Sequence, residues 1–223
     1  MSTKQEELAK RLLYLSLDLH EKVLLWLAYR GLKPVSEITV ERRNLPQLRR
    51  LVRQGKKIVS NYDKNSLKIK RIRKWIHDAG LFYATEPRYP SCWHIGRDKD
   101  KVKLSAKILR RFDYESEYQS GILFGFPKKS AEAYAYNRIS KLKNDPVPMV
   151  RPGGQSLHSY LRNKYYLPYI FFAIRADRIK EDSQVAKVWA DTIRQEVPIL
   201  AKWFEKSEFD RRKKEARRLR IEV

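Results

Sequence analysis

The sequence predicts a mostly helical α+β protein with a small β-hairpin or sheet near residues 81–96. Leucines and valines recur at helical spacing near the N-terminus. Later segments are bracketed by capping residues and glycines, and two short extended runs flank a turn-forming stretch in the middle of the chain. A winged helix-turn-helix in the N-terminal half is the alternative arrangement, because a basic helix ending in glycine precedes the hairpin. The chain has 223 residues, 42% of them hydrophobic, so it is long enough to enclose a sizeable core.

Leu8, Leu12, Leu15, Leu19, Val23 and Leu27 step by three or four, so residues 4 to 30 read as one long helix with Gly31 beyond its end. Leu13, Leu17 and Leu24 lie on its other side, a second apolar face that other elements or a protein partner would cover. Residues 37–44 fit either a strand or a loop. Pro46 and Gly55 bracket a short basic helix over 47–54. Ser66 as cap and Gly80 as stop enclose Leu67 to Ala79, with Ile69, Ile72, Ile76 and Ala79 as its inward stripe.

Leu81 to Glu86 and Cys92 to Gly96 form the expected hairpin. A helix opened by Asp98 or Asp100 runs to Arg111, and further helices cover 114–124 and 130–139, divided by Gly125-Phe126-Pro127. Prolines and glycines concentrate between Asn144 and Gln155. The expected organisation is therefore a basic domain over 1–143, a hinge at 144–156 and a helical region over 157–223. Within that last region Tyr165 to Ile174 reads as a buried strand or buried helix segment. Glu181 to Glu196 is helical, Pro198 starts another turn, and Ser207 with Asp210 marks a last helix from Glu208 to Ile221.

Lys and Arg total 49 against 26 Asp and Glu, a formal charge of +23, so an anionic partner is expected. Between Arg42 and Lys74 there are thirteen basic residues and one acid, Asp63. Arg42, Arg43, Arg49, Arg50, Arg53, Lys56, Lys57, Lys68, Lys70, Arg71, Arg73 and Lys74 are the candidate phosphate contacts. Arg97 to Arg111 would enlarge the same patch. Tyr160, Arg162, Lys164, Tyr165, Tyr166 and Tyr169 interleave rings with charges, as base stacking would require; Arg162 and Lys164 join the candidate contacts, and RNA is favoured over DNA. In the winged arrangement, Lys68, Arg71 and Lys74 would face a groove and Arg88 would sit at the wing tip.

Signals for chemistry are sparse. His20, His77, His94 and His158 show no metal-ligand spacing, and Cys92, the single cysteine, supports neither an intrachain disulfide nor a multi-cysteine zinc site. Cys92 and His94 would share one strand face, but a structural role suffices for both. No phosphate-cradling glycine motif is found, and no cofactor or metal is expected. An enzyme acting on RNA or a nucleotide, with Cys92, His94 and His158 as its candidates, is the lesser reading. Another is a subunit that docks through its N-terminal helix. Neither a signal peptide nor an apolar run of membrane-spanning length is seen, so a cytoplasmic location is expected.

His94-Ile95-Gly96-Arg97-Asp98, followed by Gly121-Ile122-Leu123-Phe124-Gly125-Phe126-Pro127-Lys128-Lys129-Ser130-Ala131-Glu132-Ala133-Tyr134, resembles an uncharacterised, largely archaeal family. That family has an IGRD-like turn and a GYPxCCxxAF-like motif. Leu167 to Phe172, leading to Ser183, Ala186 and Trp189, sits where its later cysteine-containing segment would fall, so the resemblance covers about half the chain. Lys129 and Ser130 replace the paired cysteines, and Phe171 or Phe172 a later one. The resemblance thus implies no thiolate site here, only a sharp turn at Gly125-Phe126-Pro127, and no function.

Overall fold

The computed structural model of the chain describes residues 2–40, 65–86, 89–108, 111, 113–139, 147–150 and 166–218. The N-terminal segment is two helices, α1 (Thr3–Leu13) and α2 (Leu19–Tyr29), not one over 4–30. The leucine repeat continues across the break. However, the Glu21 carboxylate accepts from the Asp18 backbone N–H at 3.1 Å, starting a new helix there. Lys22 bridges the two helices by donating from Nζ to the Leu13 carbonyl at 2.7 Å, a cation on a helix C-terminus.

The stretch 37–44, ambiguous in sequence, begins in strand β1 (Ser36–Thr39), and its residues 41–44 lie outside the described residues. Then come α3 (Leu67–Asp78), β2 (Phe82–Glu86) and β3 (Tyr89–Gly96). The hairpin thus gains a third strand. Sheet order is β1-β3-β2, all antiparallel, with Glu37 opposite His94 and Tyr83 opposite Ile95. Alternation gives the sheet two different faces. Ile38, Trp93 and Ile95 turn toward α2 and α3 and join the main core with Trp26, Ile72, Trp75, Trp189 and Phe204. On the reverse, Ala84 packs with Val35, Val102, Ile108 and Leu123 in a smaller cluster against α4 (Lys99–Ile108) and α5 (Tyr114–Leu123). Each fully buried large side chain contributes about 1.5–3 kcal/mol.

Asp113 caps α5 by accepting from Ser116 N–H at 2.8 Å. Helix α6 (Lys128–Ile139) follows the Gly125-Phe126-Pro127 turn, in which Gly125 takes φ +76. A Cβ on Gly121 would lie 2.8 Å from that of Ala131, so glycine lets α5 and α6 approach closely. Ser130, on the face opposite solvent, donates to Asp182, which Arg178 also meets at 3.2 Å.

Past residue 165, the buried aromatic run is neither strand nor helix over its length. Leu167–Tyr169 forms a single 3-10 turn, and Ile174–Arg175 forms the short strand β5 paired with β4 (Met149–Val150). Tyr169 and Phe172 enter the main core beside side chains of the N-terminal half. Helix α7 (Gln184–Glu196) ends at Val197, and α8 (Pro198–Arg218) follows. The separate helix expected from Glu208 is absent, because Ser207 lies inside α8. Leu200, Ala201 and Phe204 bury the first turns of α8, which fixes its direction. The bond from Trp26 Nε1 to Glu196 at 2.8 Å ties α7 to α2. No helix among the described residues is long and apolar enough to cross a membrane.

The apolar sides of α1 and α2 that suggested a protein partner are covered by the protein itself. Leu8, Leu12 and Leu24 belong to the main core, with Leu13 and Leu17 packed against it.

Candidate nucleic-acid interface

The sequence of α3 divides by period into two faces. Ile69, Ile72, Trp75 and Ile76 face inward. Trp75 Nε1 donates to Leu8 O at 2.9 Å, and Asp78 accepts from Arg11 at 2.7 Å, so α1 grips the C-terminal half of α3. At the N-terminus Ser66 Oγ accepts from Ile69 N–H at 3.4 Å. Gly80, with φ +68, ends the helix and turns the chain into β2. The guanidinium of Arg11 holds the Asp78 carboxyl down at about 2, below the usual carboxylate range, and Lys74 and His77 assist.

The outward face is cationic. Lys70, Arg71 and Lys74 are exposed, Lys68 is half-buried, and Leu67 begins the row, also exposed. Lys68, Lys70 and Arg71 make no ion pair with any described residue, while Lys74 lies 3.2 Å from Asp78 at the far end. Those three charges meet no carboxylate among the described residues.

Arg73 sits apart from that row. It is half-buried, its guanidinium over the rings of Tyr83 and Trp93 at 5.9 and 5.6 Å, and its Nε is buried without a hydrogen bond. Tyr83 and Trp93 stack at 4.7 Å, so Arg73 clamps α3 to the hairpin. Beside α3, edge strand β2 presents Tyr83 and Thr85 to solvent. Among the described residues α2, β1, α3 and the β2-β3 hairpin follow one another, with sheet order β1-β3-β2; the short basic helix over 47–54 that the winged alternative also needs lies outside them.

Of the other sequence candidates, Arg42, Arg43, Arg49, Arg50, Arg53, Lys56, Lys57, Arg162 and Lys164 lie outside the described residues, as do Arg88 and His158. Lys99, Lys101, Lys103 and Lys107 are exposed on α4, which packs on the opposite side of the sheet from α3. They do not extend the α3 row, and Lys101 is 3.6 Å from Asp98. His20 is a core-edge ring, 4.7 Å from Phe171. Cys92 and His94 do share a face, and burial pushes the His94 imidazole down to about 4.

Sequence reading missed Lys33. It is buried between the end of α5 and α7, donating to the Phe124 carbonyl, with Nζ 4.4 Å from the Trp189 ring. No local pattern distinguishes it from a surface lysine. No protein-family model, curated protein or solved structure matches the chain.

Proposed function

We propose that the protein binds nucleic acid without catalysing a reaction on it, using α3 as the element that approaches the polymer. The observation that carries this is the row Lys68, Lys70, Arg71 and Lys74. Three of its four charges are without a carboxylate partner among the described residues, in a chain of formal charge +23. Such a row neutralises phosphates and releases their counterions. The supporting helix is anchored by Trp75 and Asp78 on one side and by Arg73 on the hairpin.

The shape of this element favours double-helical DNA over RNA. A helix with an exposed face fits the major groove of B-form DNA, whereas the deep, narrow major groove of an RNA duplex excludes it. Of the rings and charges that favoured RNA, Tyr160, Arg162, Lys164 and Tyr165 lie outside the described residues, while Tyr166 and Tyr169 are buried in the main core and are not available for base stacking.

A retardation assay tests the proposal, using a duplex DNA of about 30 base pairs with duplex and single-stranded RNA as competitors. Micromolar or tighter binding is expected, falling steeply between about 50 and about 200 mM salt. Replacing Lys68, Lys70 and Arg71 together by alanine should lower the salt slope by about three. Unchanged migration at the lower salt would remove the proposal. An unaltered slope in the triple variant would remove α3 from it, and preferential competition by RNA would reassign the polymer.

A further inference from the structure

The sheet face turned toward α4 is apolar around Ala84 and Val35 but carries three metal-ligating side chains at one place. Cys92 and His94 are two residues apart on β3, and pairing register sets Glu37 of β1 opposite His94. A ring nitrogen of His94, the Cys92 sulfur and a Glu37 carboxylate oxygen all lie within 4.8 Å of one another. The second observation is in the imidazole itself. His94 is 0% exposed; its Nδ1 is 3.0 Å from Ser105 Oγ of α4, and its Nε2 is buried with no hydrogen-bond partner. Buried polar atoms almost always have partners, so this nitrogen calls for one.

We propose that Glu37, Cys92 and His94 form a binding site for a zinc-class divalent transition-metal ion. In the tautomer whose Nδ1–H donates to Ser105, Nε2 keeps its lone pair for the ion, the outer-shell arrangement that orients metal-bound histidines. Nitrogen, sulfur and oxygen donors together suit a borderline-soft ion and disfavour magnesium or calcium. On binding, the Cys92 thiol gives its proton to solvent. In a tetrahedral zinc site donors stand roughly 3–4 Å apart, so the side chains close by about 1 Å, and water supplies the fourth ligand. Glu37 is exposed and Cys92 half-buried, which gives the ion access from solvent. The bound ion would cross-link β1 to β3.

Titration of the full chain with cobalt(II), followed by zinc competition, tests this without reference to nucleic acid. One equivalent should bind with a thiolate-to-cobalt charge-transfer band that zinc removes and magnesium does not. Cys92→Ser should abolish the band. Glu37→Gln should weaken cobalt binding at least about tenfold, and Ser105→Ala by about 10–100-fold through the histidine. These variants avoid truncating buried His94, and circular dichroism checks their folding. Absence of the band would overturn the proposal. So would a band of equal affinity in Glu37→Gln and Ser105→Ala, which marks a thiol acting alone.

Discussion

Lys33 ties its protonation to the stability of the whole fold. Burial lowers its ammonium from 10.5 to about 7, while an unfolded chain keeps the proton up to about 10.5. Between those values the unfolded state binds more protons, so stability must rise with pH there, by about 1.4 kcal/mol per pH unit. The cost of burying this amine is largest below pH 7, about 5 kcal/mol, and vanishes above 10.5. Lys33→Met keeps the unbranched length and removes that cost, together with the bond to the Phe124 carbonyl, which is worth about 1–3 kcal/mol. Near pH 7.5 the variant should therefore be the more stable by about 1–3 kcal/mol, and near pH 9.5 no more stable than the parent. Urea unfolding of both proteins across this range measures the difference. Lys22, whose ammonium is also lowered by burial, is common to both and cancels. Parallel stability curves would refute the reasoning, since they would mean that the amine keeps its proton inside the fold.

Three further outcomes follow from particular contacts. Gly96→Ala would set a Cβ 2.4 Å from the Pro34 carbonyl and 3.1 Å from Val102, so its melting temperature should fall by about 5–10 °C, and a fall under about 1 °C would contradict that packing. Arg73→Ala should cost about 1–2 kcal/mol in urea unfolding while leaving the salt slope of nucleic-acid binding unchanged. A slope lowered by about one at unchanged stability would place Arg73 on the phosphates instead. Because the Asp78 carboxyl is held below its unfolded value, its stabilisation is present above about pH 4 and lost as pH falls toward 2. Asp78→Asn should flatten the acid limb of the stability profile, and an unchanged limb would show that the Arg11 contact does not persist in solution.

What was legible in the chain was local. Ser66, the isoleucine stripe and Gly80 define α3 almost to the residue, and the outward lysines follow as the complement of that stripe. The break before α2 was also written locally, in Asp18 and Glu21, but the leucine repeat runs through it and hides it. Strand β1 was ambiguous because four residues alternate too briefly to declare themselves; pairing with β3 decides it. Arg73 and Lys33 could not be placed, since the groups that cover them, Tyr83 with Trp93 and Phe124 with Trp189, come from elsewhere in the chain. Glu37 joins Cys92 and His94 through register between strands, which no spacing within one strand discloses.

Strand β3 brings these pieces together. Its odd positions point one way, Trp93 under the Arg73 guanidinium and Ile95 into the core that supports α3. Its even positions point the other way, Cys92 and His94 toward α4. A one-residue shift in pairing would exchange the two sets, burying a thiol and an imidazole under α3 and turning Trp93 toward the reverse face. The apolar face makes that shift costly, because Trp93 and Ile95 are both 0% exposed where they stand. An ion held between Glu37 and His94 would oppose the same slip from the other side, since it binds only in the register that sets them opposite. The strand that positions the cationic helix is thus locked by apolar packing on one face, and an ion at the proposed ligands would lock it on the other.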